Sequence, residues 1–238
     1  MNKPGLGLLI TCEHAGNRIP AEYHRLFYNH SGRLSTHQGF DIGAKELANG
    51  FARRFSTRAI LFEQTRLFID VNRSLSSRSL FSFIGSTLSV EERRLILKTH
   101  YHRYRNSIQE QIETIRQNQI PVIHLSVHTF TPVLQGKSRN ADVGFLYDPS
   151  RKMEKRFCHR WLKVLKQKNP DLTIRCNYPY RGVSDGLTAS LRRTYPEGEY
   201  VGIELEVNQK YPRMKRVADW EALKKDLIET FYKVALAR

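Results

Sequence analysis

Short apolar runs that alternate with longer amphipathic stretches are the feature that most constrains the fold of this chain. The strongest strand-like runs are Gly7 to Cys12, Pro121 to Val127 and Glu199 to Val207. Helical patterns separate or follow them over 41–55, 89–117, 151–168 and 219–237. This alternation predicts an α/β fold in which a sheet lies between two layers of helices, as a single domain over residues 1–238.

Two of the predicted helices begin at recognisable signals. Asp41 is a suitable N-cap for the helix over 41–55. The sequence Ser89-Val90-Glu91-Glu92 is a capping box, which predicts the start of the long helix over 89–117. Shorter strands are predicted at 59–63, 67–70, 142–147 and 173–176.

Charge, cysteine content and hydropathy limit the classes of function. The 39 Lys and Arg against 23 Asp and Glu give a net charge of +16, which attracts anionic ligands. The basic residues are spread over helical patterns without a nucleic-acid-binding motif, so we expect no nucleic acid partner. The three cysteines form no CxxC pair, which predicts reduced thiols in the cytoplasm. No apolar run is long enough to span a membrane, and no signal-peptide pattern is present. The sequence predicts no oligomeric state.

Two histidines follow strongly apolar runs. His14 comes shortly after Leu8 to Ile10, and His128 comes directly after Val122 to Val127. Functional sites in open α/β sheets form at the carboxyl ends of strands, and neutral imidazole is a common metal ligand. Each histidine alone is consistent with a structural role, but together they suggest a shared metal site.

Charged residues mark further candidates. Glu204 and Glu206 share one face of a strand, where either could act as a general base or both could belong to an exposed edge. Arg66 and Arg73 flank Asp70-Val71-Asn72, which is compatible with a carboxylate clamp or with a structural Arg–Asp pair. Arg181 lies in a turn-rich loop of the kind that often covers a substrate.

Taken in order, six motifs resemble those of the N-formylglutamate amidohydrolase family. They are Cys12-Glu13-His14-Ala15-Gly16-Asn17, Asp41-Ile42-Gly43-Ala44, Asp70-Val71-Asn72-Arg73, His128-Thr129-Phe130-Thr131-Pro132, Asn177-Tyr178-Pro179-Tyr180-Arg181-Gly182 and Glu206-Val207-Asn208-Gln209. The resemblance implies a mixed, twisted sheet of the phosphorylase/hydrolase-like type, related to the zinc carboxypeptidases and aspartoacylases. It also implies a zinc-dependent amidohydrolase that converts N-formyl-L-glutamate and water to formate and L-glutamate.

The resemblance further implies a role for each candidate residue. Zinc would be held by His14, His128 and a carboxylate, for which Asp41 is preferred and Glu13 is the alternative, because Asn17 occupies the Glu position of the carboxypeptidase pattern. Glu206 would be the general base, with Glu204 as the alternative, and Arg66 would stabilise the oxyanion. Asn72, Arg73 and Arg181 would bind a small anionic N-acyl amino acid. Another N-acyl amino acid or a small peptide amide remains an alternative substrate, and a non-catalytic binder of an acidic ligand or nucleic acid is the alternative function.

Overall fold

A six-stranded mixed sheet forms the centre of the molecule. A computed structural model describes residues 7–118, 120–213 and 217–237. The strands of the sheet are β1 (Gly7–Cys12), β2 (Ala59–Leu61), β3 (Val122–Phe130), β6 (Val143–Leu146), β7 (Ile174–Cys176) and β8 (Tyr200–Asn208). A small hairpin of β4 (Val133–Leu134) and β5 (Lys137–Ser138) lies outside it. The order across the sheet is β2-β1-β3-β8-β6-β7.

The direction of the strands decides where polar side chains gather. From β2 through β1 and β3 to β8 all neighbours are parallel, whereas β6 runs antiparallel to β8. The central strands β3 and β8 are buried along nearly their whole length, as expected for parallel strands covered on both faces. The carboxyl ends of β1, β3 and β8 therefore meet at one edge of the sheet.

Helices cover both faces of the sheet. One face packs against α2 (Ala44–Arg54), α5 (Lys152–Lys168) and α7 (Val217–Leu236). The other face packs against a long helix, made of α3 (Val90–Ile96), a π-helical turn (Leu97–His102) and α4 (Arg103–Arg116), and against α6 (Leu187–Thr194). A short α1 (Ser31–Leu34) and 3-10 helices at Ala21–His30 and Gly85–Thr87 complete the described elements. The predicted α/β fold with a mixed sheet between helix layers is confirmed.

The capping box predicted for the long helix is present. The Ser89 hydroxyl accepts a hydrogen bond from the Glu92 backbone amide, and the Glu92 carboxylate accepts one from the Ser89 amide. Each bond satisfies a backbone or side-chain group at the first turn, where the helix itself provides no partner. The sequence therefore determines where this helix begins.

Other boundaries differ from the prediction. The helix predicted from Asp41 begins at Ala44, after Gly43 with a φ of 87°, because the Asp41 carboxylate bonds to histidines instead of capping. The predicted strand 67–70 is a turn, although Phe68 and Ile69 are fully buried. Segment 67–70 is apolar because it packs against the long helix and the 3-10 helix Ala21–His30, and not because it pairs in the sheet. Helix α6 was not predicted.

No helix within the described ranges is both long enough and apolar enough to cross a membrane.

Candidate active site

Three neighbouring strands bring the predicted site residues to one edge of the sheet. His14 follows β1 by two residues, His128 lies near the end of β3, and Glu206 lies near the end of β8. His128 and Glu206 are paired in register across the β3–β8 ladder. Parallel pairing of these strands thus joins residues that are far apart in the sequence.

Asp41 lies between the two histidines. Its Oδ2 atom is 2.8 Å from Nδ1 of His128 and 3.4 Å from Nδ1 of His14. One donor atom from each of these three residues lies within 4.8 Å of the others, and all three residues are buried. Two imidazoles and one carboxylate are a ligand set that suits zinc.

The opposite ring nitrogens contact two further carboxylates. Nε2 of His14 is 2.8 Å from Oδ1 of Asp70, and Nε2 of His128 is 2.8 Å from Oε2 of Glu13. Histidines that bind metals usually donate their second N–H to a carboxylate or carbonyl, which fixes the tautomer. Because both Nε2 atoms contact carboxylates, the atoms that could bind a metal are the two Nδ1 atoms and Oδ2 of Asp41. The donor set therefore fits a divalent metal.

Glu13 faces away from these donors. It is fully buried, accepts hydrogen bonds from Ser126 Oγ at 2.5 Å and Tyr104 OH at 3.0 Å, and contacts the far side of the His128 ring. Glu13 and His14 lie in the turn that follows β1, and the Glu13 carboxylate is on the side of the His128 ring opposite Asp41. This geometry favours Asp41 over Glu13 as the third metal ligand.

The cluster has strongly perturbed proton affinities. Burial lowers the pKa of His128, but hydrogen bonds and charge attraction from Asp41 and Glu13 outweigh it and hold that pKa well above its usual value. Burial likewise raises the pKa of Asp41, but His14 and His128 hold it below its usual range. Without a metal, His128 therefore carries the proton and Asp41 is ionised, so a cation that binds at Nδ1 would have to displace that proton.

Glu206 is a buried carboxyl beside this cluster. Burial raises the pKa of Glu206 to about 8. The charge of His128 opposes this rise, the charges of Asp41 and Glu204 add to it, and Arg66 opposes it least. Its Oε2 atom has no hydrogen-bond partner among the described residues. Glu204, by contrast, accepts a hydrogen bond from the Thr188 hydroxyl. A buried carboxyl with an unpartnered oxygen beside the cavity can exchange a proton with a bound water, which suits general acid–base catalysis.

Arg66 is held in place by the carboxylates of the cluster. Its NH2 group donates to Oδ2 of Asp70 at 2.9 Å, and its NH1 group lies 3.5 Å from Oδ1 of Asp41. A guanidinium has five N–H donors, so these contacts leave others for a substrate oxygen. The Arg–Asp pairing that the sequence left open is thus present, and it does not exclude a contact with substrate.

Asn72 and Arg73 connect the cluster to a loop on the far side of the cavity. The Asn72 Oδ1 atom accepts a hydrogen bond from the Leu187 amide at 2.7 Å, and Arg73 NH1 donates to the Asp185 carbonyl at 2.8 Å. The Asp185 carboxylate in turn accepts from the Ser74 amide at 3.2 Å. The NH2 group of the Asn72 side chain has no hydrogen-bond partner among the described residues, so it can donate to an anionic or carbonyl oxygen.

All of the predicted site residues border one cavity. Its volume is about 100 Å³. The predicted residues in its walls are His14, Asp41, Arg66, Asn72, Arg73, His128, Arg181 and Glu206. The other residues in its walls are Thr129, Tyr180, Ser184, Asp185 and Glu204, the alternative general base. Among the described residues, the Arg181 side chain has no hydrogen-bond or ion-pair partner, unlike Arg66 and Arg73. Convergence of these residues is a finding, whereas their individual roles stay predictions.

The family model of N-formylglutamate amidohydrolase matches residues 6–211. The chain belongs to the N-formylglutamate amidohydrolase family. Two solved structures resemble this family member. A gene product from Agrobacterium tumefaciens is 25% identical with a TM-score of 0.81, over 96% of this chain and 90% of that one. An N-formylglutamate amidohydrolase from Ralstonia eutropha is 18% identical with a TM-score of 0.74, over 98% and 94% of the two chains, which shows likeness of fold. No curated protein sequence matches significantly.

Three residues contribute to the site of this N-formylglutamate amidohydrolase family member through contacts that were not predicted. Asp70 contacts Nε2 of His14, Glu13 contacts Nε2 of His128, and the Asp185 carbonyl accepts a hydrogen bond from Arg73. Asp70 and Glu13 are acidic residues within two of the recognised motifs. Their presence there was the available signal for a contact with a histidine. Asp185 had no comparable signal, because its role depends on a contact with Arg73, 112 positions away.

Proposed function

We propose that this chain is a zinc-dependent amidohydrolase that cleaves the N-acyl amide of an acidic amino acid, with N-formyl-L-glutamate as the first candidate substrate. The observation that carries the proposal is the meeting of Nδ1 of His14, Nδ1 of His128 and Oδ2 of Asp41 beside a buried Glu206. Membership of the amidohydrolase family agrees with this chemistry. The three unpaired cysteines support a reducing, cytoplasmic location.

In this proposal different side chains bind the metal, transfer the proton and stabilise the negative charge. A zinc ion held by His14, Asp41 and His128 would supply a Lewis acid and lower the pKa of a water molecule. Glu206 accepts the proton of the attacking water and returns it to the leaving nitrogen. The free N–H groups of Arg66 face the oxygen on which negative charge develops.

The acidic amino acid would bind to the part of the cavity formed by Asn72, Arg73 and Arg181. Arg181, Arg73 and the Asn72 NH2 group are all donors that suit a carboxylate. Arg181 has no protein partner among the described residues, so a substrate carboxylate could pair with it without breaking an existing contact. The overall positive charge agrees with an anionic ligand.

Metal analysis and formate release test the proposal together. The purified chain should contain about one zinc per polypeptide, and formate release from N-formyl-L-glutamate should stop with a chelator and return with zinc. A His128→Ala variant should lose both metal and activity. His24→Ala is the matched control, because His24 is exposed and does not border the cavity.

Each alternative outcome has a definite meaning. Zinc without formate release redirects the substrate assignment to other N-acyl amino acids and small peptide amides, tested as a panel. A His128→Ala variant that keeps both metal and activity would contradict the proposed metal site. Neither zinc nor hydrolysis after metal is added back would favour a non-catalytic binder of an acidic ligand, or of nucleic acid if binding falls steeply with salt.

A further inference from the structure

Asn72 and Arg73 present their side chains to the cavity, and the backbone carbonyls of Val71 and Arg73 face the long helix. Arg105 donates from Nε to the Val71 carbonyl at 2.9 Å and from NH2 to the Arg73 carbonyl at 2.9 Å. Tyr101 donates its hydroxyl to the same Arg73 carbonyl at 2.8 Å. Three hydrogen bonds from two side chains thus hold the two carbonyls that flank Asn72.

These bonds replace contacts that regular structure would otherwise provide. Residues 71–73 belong to a turn and to no strand or helix, so their carbonyls lack ladder partners. Tyr101 is 5% exposed, and the Arg105 guanidinium lies 5.2 Å from the centre of its ring. Neither residue borders the cavity. Tyr101 also lies in the π-helical turn Leu97–His102, a helix irregularity that is frequent near functional sites.

The position of this segment determines two contacts of the cavity at once. Asn72 must keep its Oδ1 atom on the Leu187 amide while its NH2 group faces the cavity. Arg73 must keep NH1 on the Asp185 carbonyl while the rest of its guanidinium borders the cavity. Displacements of about 1 Å in groups that position a substrate are costly to binding and rate.

We infer that Arg105 and Tyr101 are positioning residues that hold Asn72 and Arg73 in their substrate-binding geometry from behind. The inference rests on the proposed function, because it takes the 71–73 segment to be the part of the cavity that binds substrate. It assigns the long helix a role in substrate affinity in addition to its packing against the sheet. It predicts little effect on the metal ligands, since neither residue contacts His14, Asp41 or His128.

Three variants of the full-length, zinc-loaded protein test this inference. Arg105→Met removes two hydrogen bonds, Arg105→Lys keeps one donor, and Tyr101→Phe removes one bond with minimal change of shape. Arg103→Met is the matched control, because Arg103 is an exposed arginine on the same helix without a recorded side-chain partner among the described residues. The measurements are KM and kcat with the best substrate of the N-acyl amino acid panel, zinc content, and hydrogen exchange of a peptide covering residues 70–76.

Arg105→Met should raise KM by roughly tenfold, as expected for the loss of two hydrogen bonds, while kcat changes less and zinc content stays the same. Exchange of the amides in 71–74 should accelerate. Arg105→Lys should recover part of the KM, and Tyr101→Phe should show a smaller rise. The same KM rise in Arg103→Met, or no rise in Arg105→Met, would overturn the inference.

Failure of the proposed function gives a different result. If the wild-type protein hydrolyses nothing in the panel, the proposed function is wrong, and hydrogen exchange alone then decides the positioning role. Unchanged exchange over 71–74 in Arg105→Met would overturn that role as well. If Arg105→Met does not fold, Tyr101→Phe provides the same comparison with a smaller structural change.

Discussion

The imidazole of His128 lies between two carboxylates, with Nδ1 at 2.8 Å from Oδ2 of Asp41 and Nε2 at 2.8 Å from Oε2 of Glu13. The two sides of the ring differ in their surroundings. Asp41 also contacts His14 and borders the cavity, whereas Glu13 lies in a closed network with Ser126 and Tyr104. Nδ1 of His128 thus faces Asp41 at the cavity, and Nε2 faces a carboxylate in the protein interior.

Glu13→Gln should weaken zinc binding by roughly 10- to 100-fold, because the amide is a poorer acceptor for the His128 N–H that orients the ring. Competition with a chromogenic zinc chelator measures this affinity. Glu110→Gln, an exposed change on α4, is the control and should leave the affinity unchanged. Equal affinities of the Glu13→Gln and wild-type proteins would show that Glu13 does not support the metal site.

Glu206→Gln should lower kcat by roughly 10²- to 10⁴-fold with zinc content retained, because the amide cannot accept the proton of water. Glu204→Gln is the matched comparison one step along the same strand face, and it should reduce kcat by much less. Steady-state kinetics with parallel metal analysis checks both variants. A larger loss in Glu204→Gln would reassign the general base to Glu204.

Arg181→Met should raise KM by roughly 10- to 100-fold, the effect of losing a hydrogen bond to a charged group. Its free energy of unfolding should stay within about 0.5 kcal/mol of wild type, because the side chain is exposed.

Arg192→Met is the contrasting change, because it should lower the free energy of unfolding. It removes the 3.0 Å partner of the buried Glu154 carboxylate, which keeps Arg151 at 3.3 Å, and should cost roughly 1.5–3 kcal/mol of stability. Urea unfolding separates the two effects, and an unstable Arg181→Met variant would contradict a binding role.

Acid should destabilise the fold through His124. This histidine is fully buried between Thr11 and Tyr200, and burial lowers its pKa to about 4. As pH falls, the unfolded chain protonates this histidine near pH 6.5, before the folded chain does. The contribution of His124 to the free energy of unfolding is therefore fully present above pH 6.5. It decreases as pH falls towards 4, by up to about 3 kcal/mol.

Urea unfolding between pH 7.5 and 4.5 measures this dependence. A His124→Gln variant removes the titrating group, so its stability should fall less steeply with acid than that of the wild-type protein. Parallel slopes for the two proteins would show that His124 does not contribute to the pH dependence.

Much of the fold was predictable because its signals are local. The runs that became β1, β3 and β8 are apolar enough to be identified without their neighbours, and the capping box at Ser89 determined where the long helix begins. The segment 67–70 misled the prediction, since its apolar residues are buried by helices rather than by sheet pairing. A short apolar run reports burial but does not report which element provides it.

The candidate site was predictable in its membership but not in its arrangement. Motifs at the ends of apolar runs identified His14, His128 and Glu206, because strand ends are where polar side chains can leave a buried sheet. The preference for Asp41 over Glu13 rested on the family resemblance alone, since both residues are acidic and both stand in a motif. The choice between them depends on the direction of each side chain relative to one imidazole ring.

The sequence by itself determined the alternation of strands and helices, the positions of the polar motifs and the family to which the chain belongs. Tertiary structure alone decided which nitrogen of each histidine faces Asp41 and which carboxylate contacts the other nitrogen. It also decided that Arg105 and Tyr101 hold the carbonyls of a segment about 30 positions away in the chain. The physical reason is that hydrogen-bond partners are selected by distance and angle in the folded chain, and periodicity along the sequence contains neither.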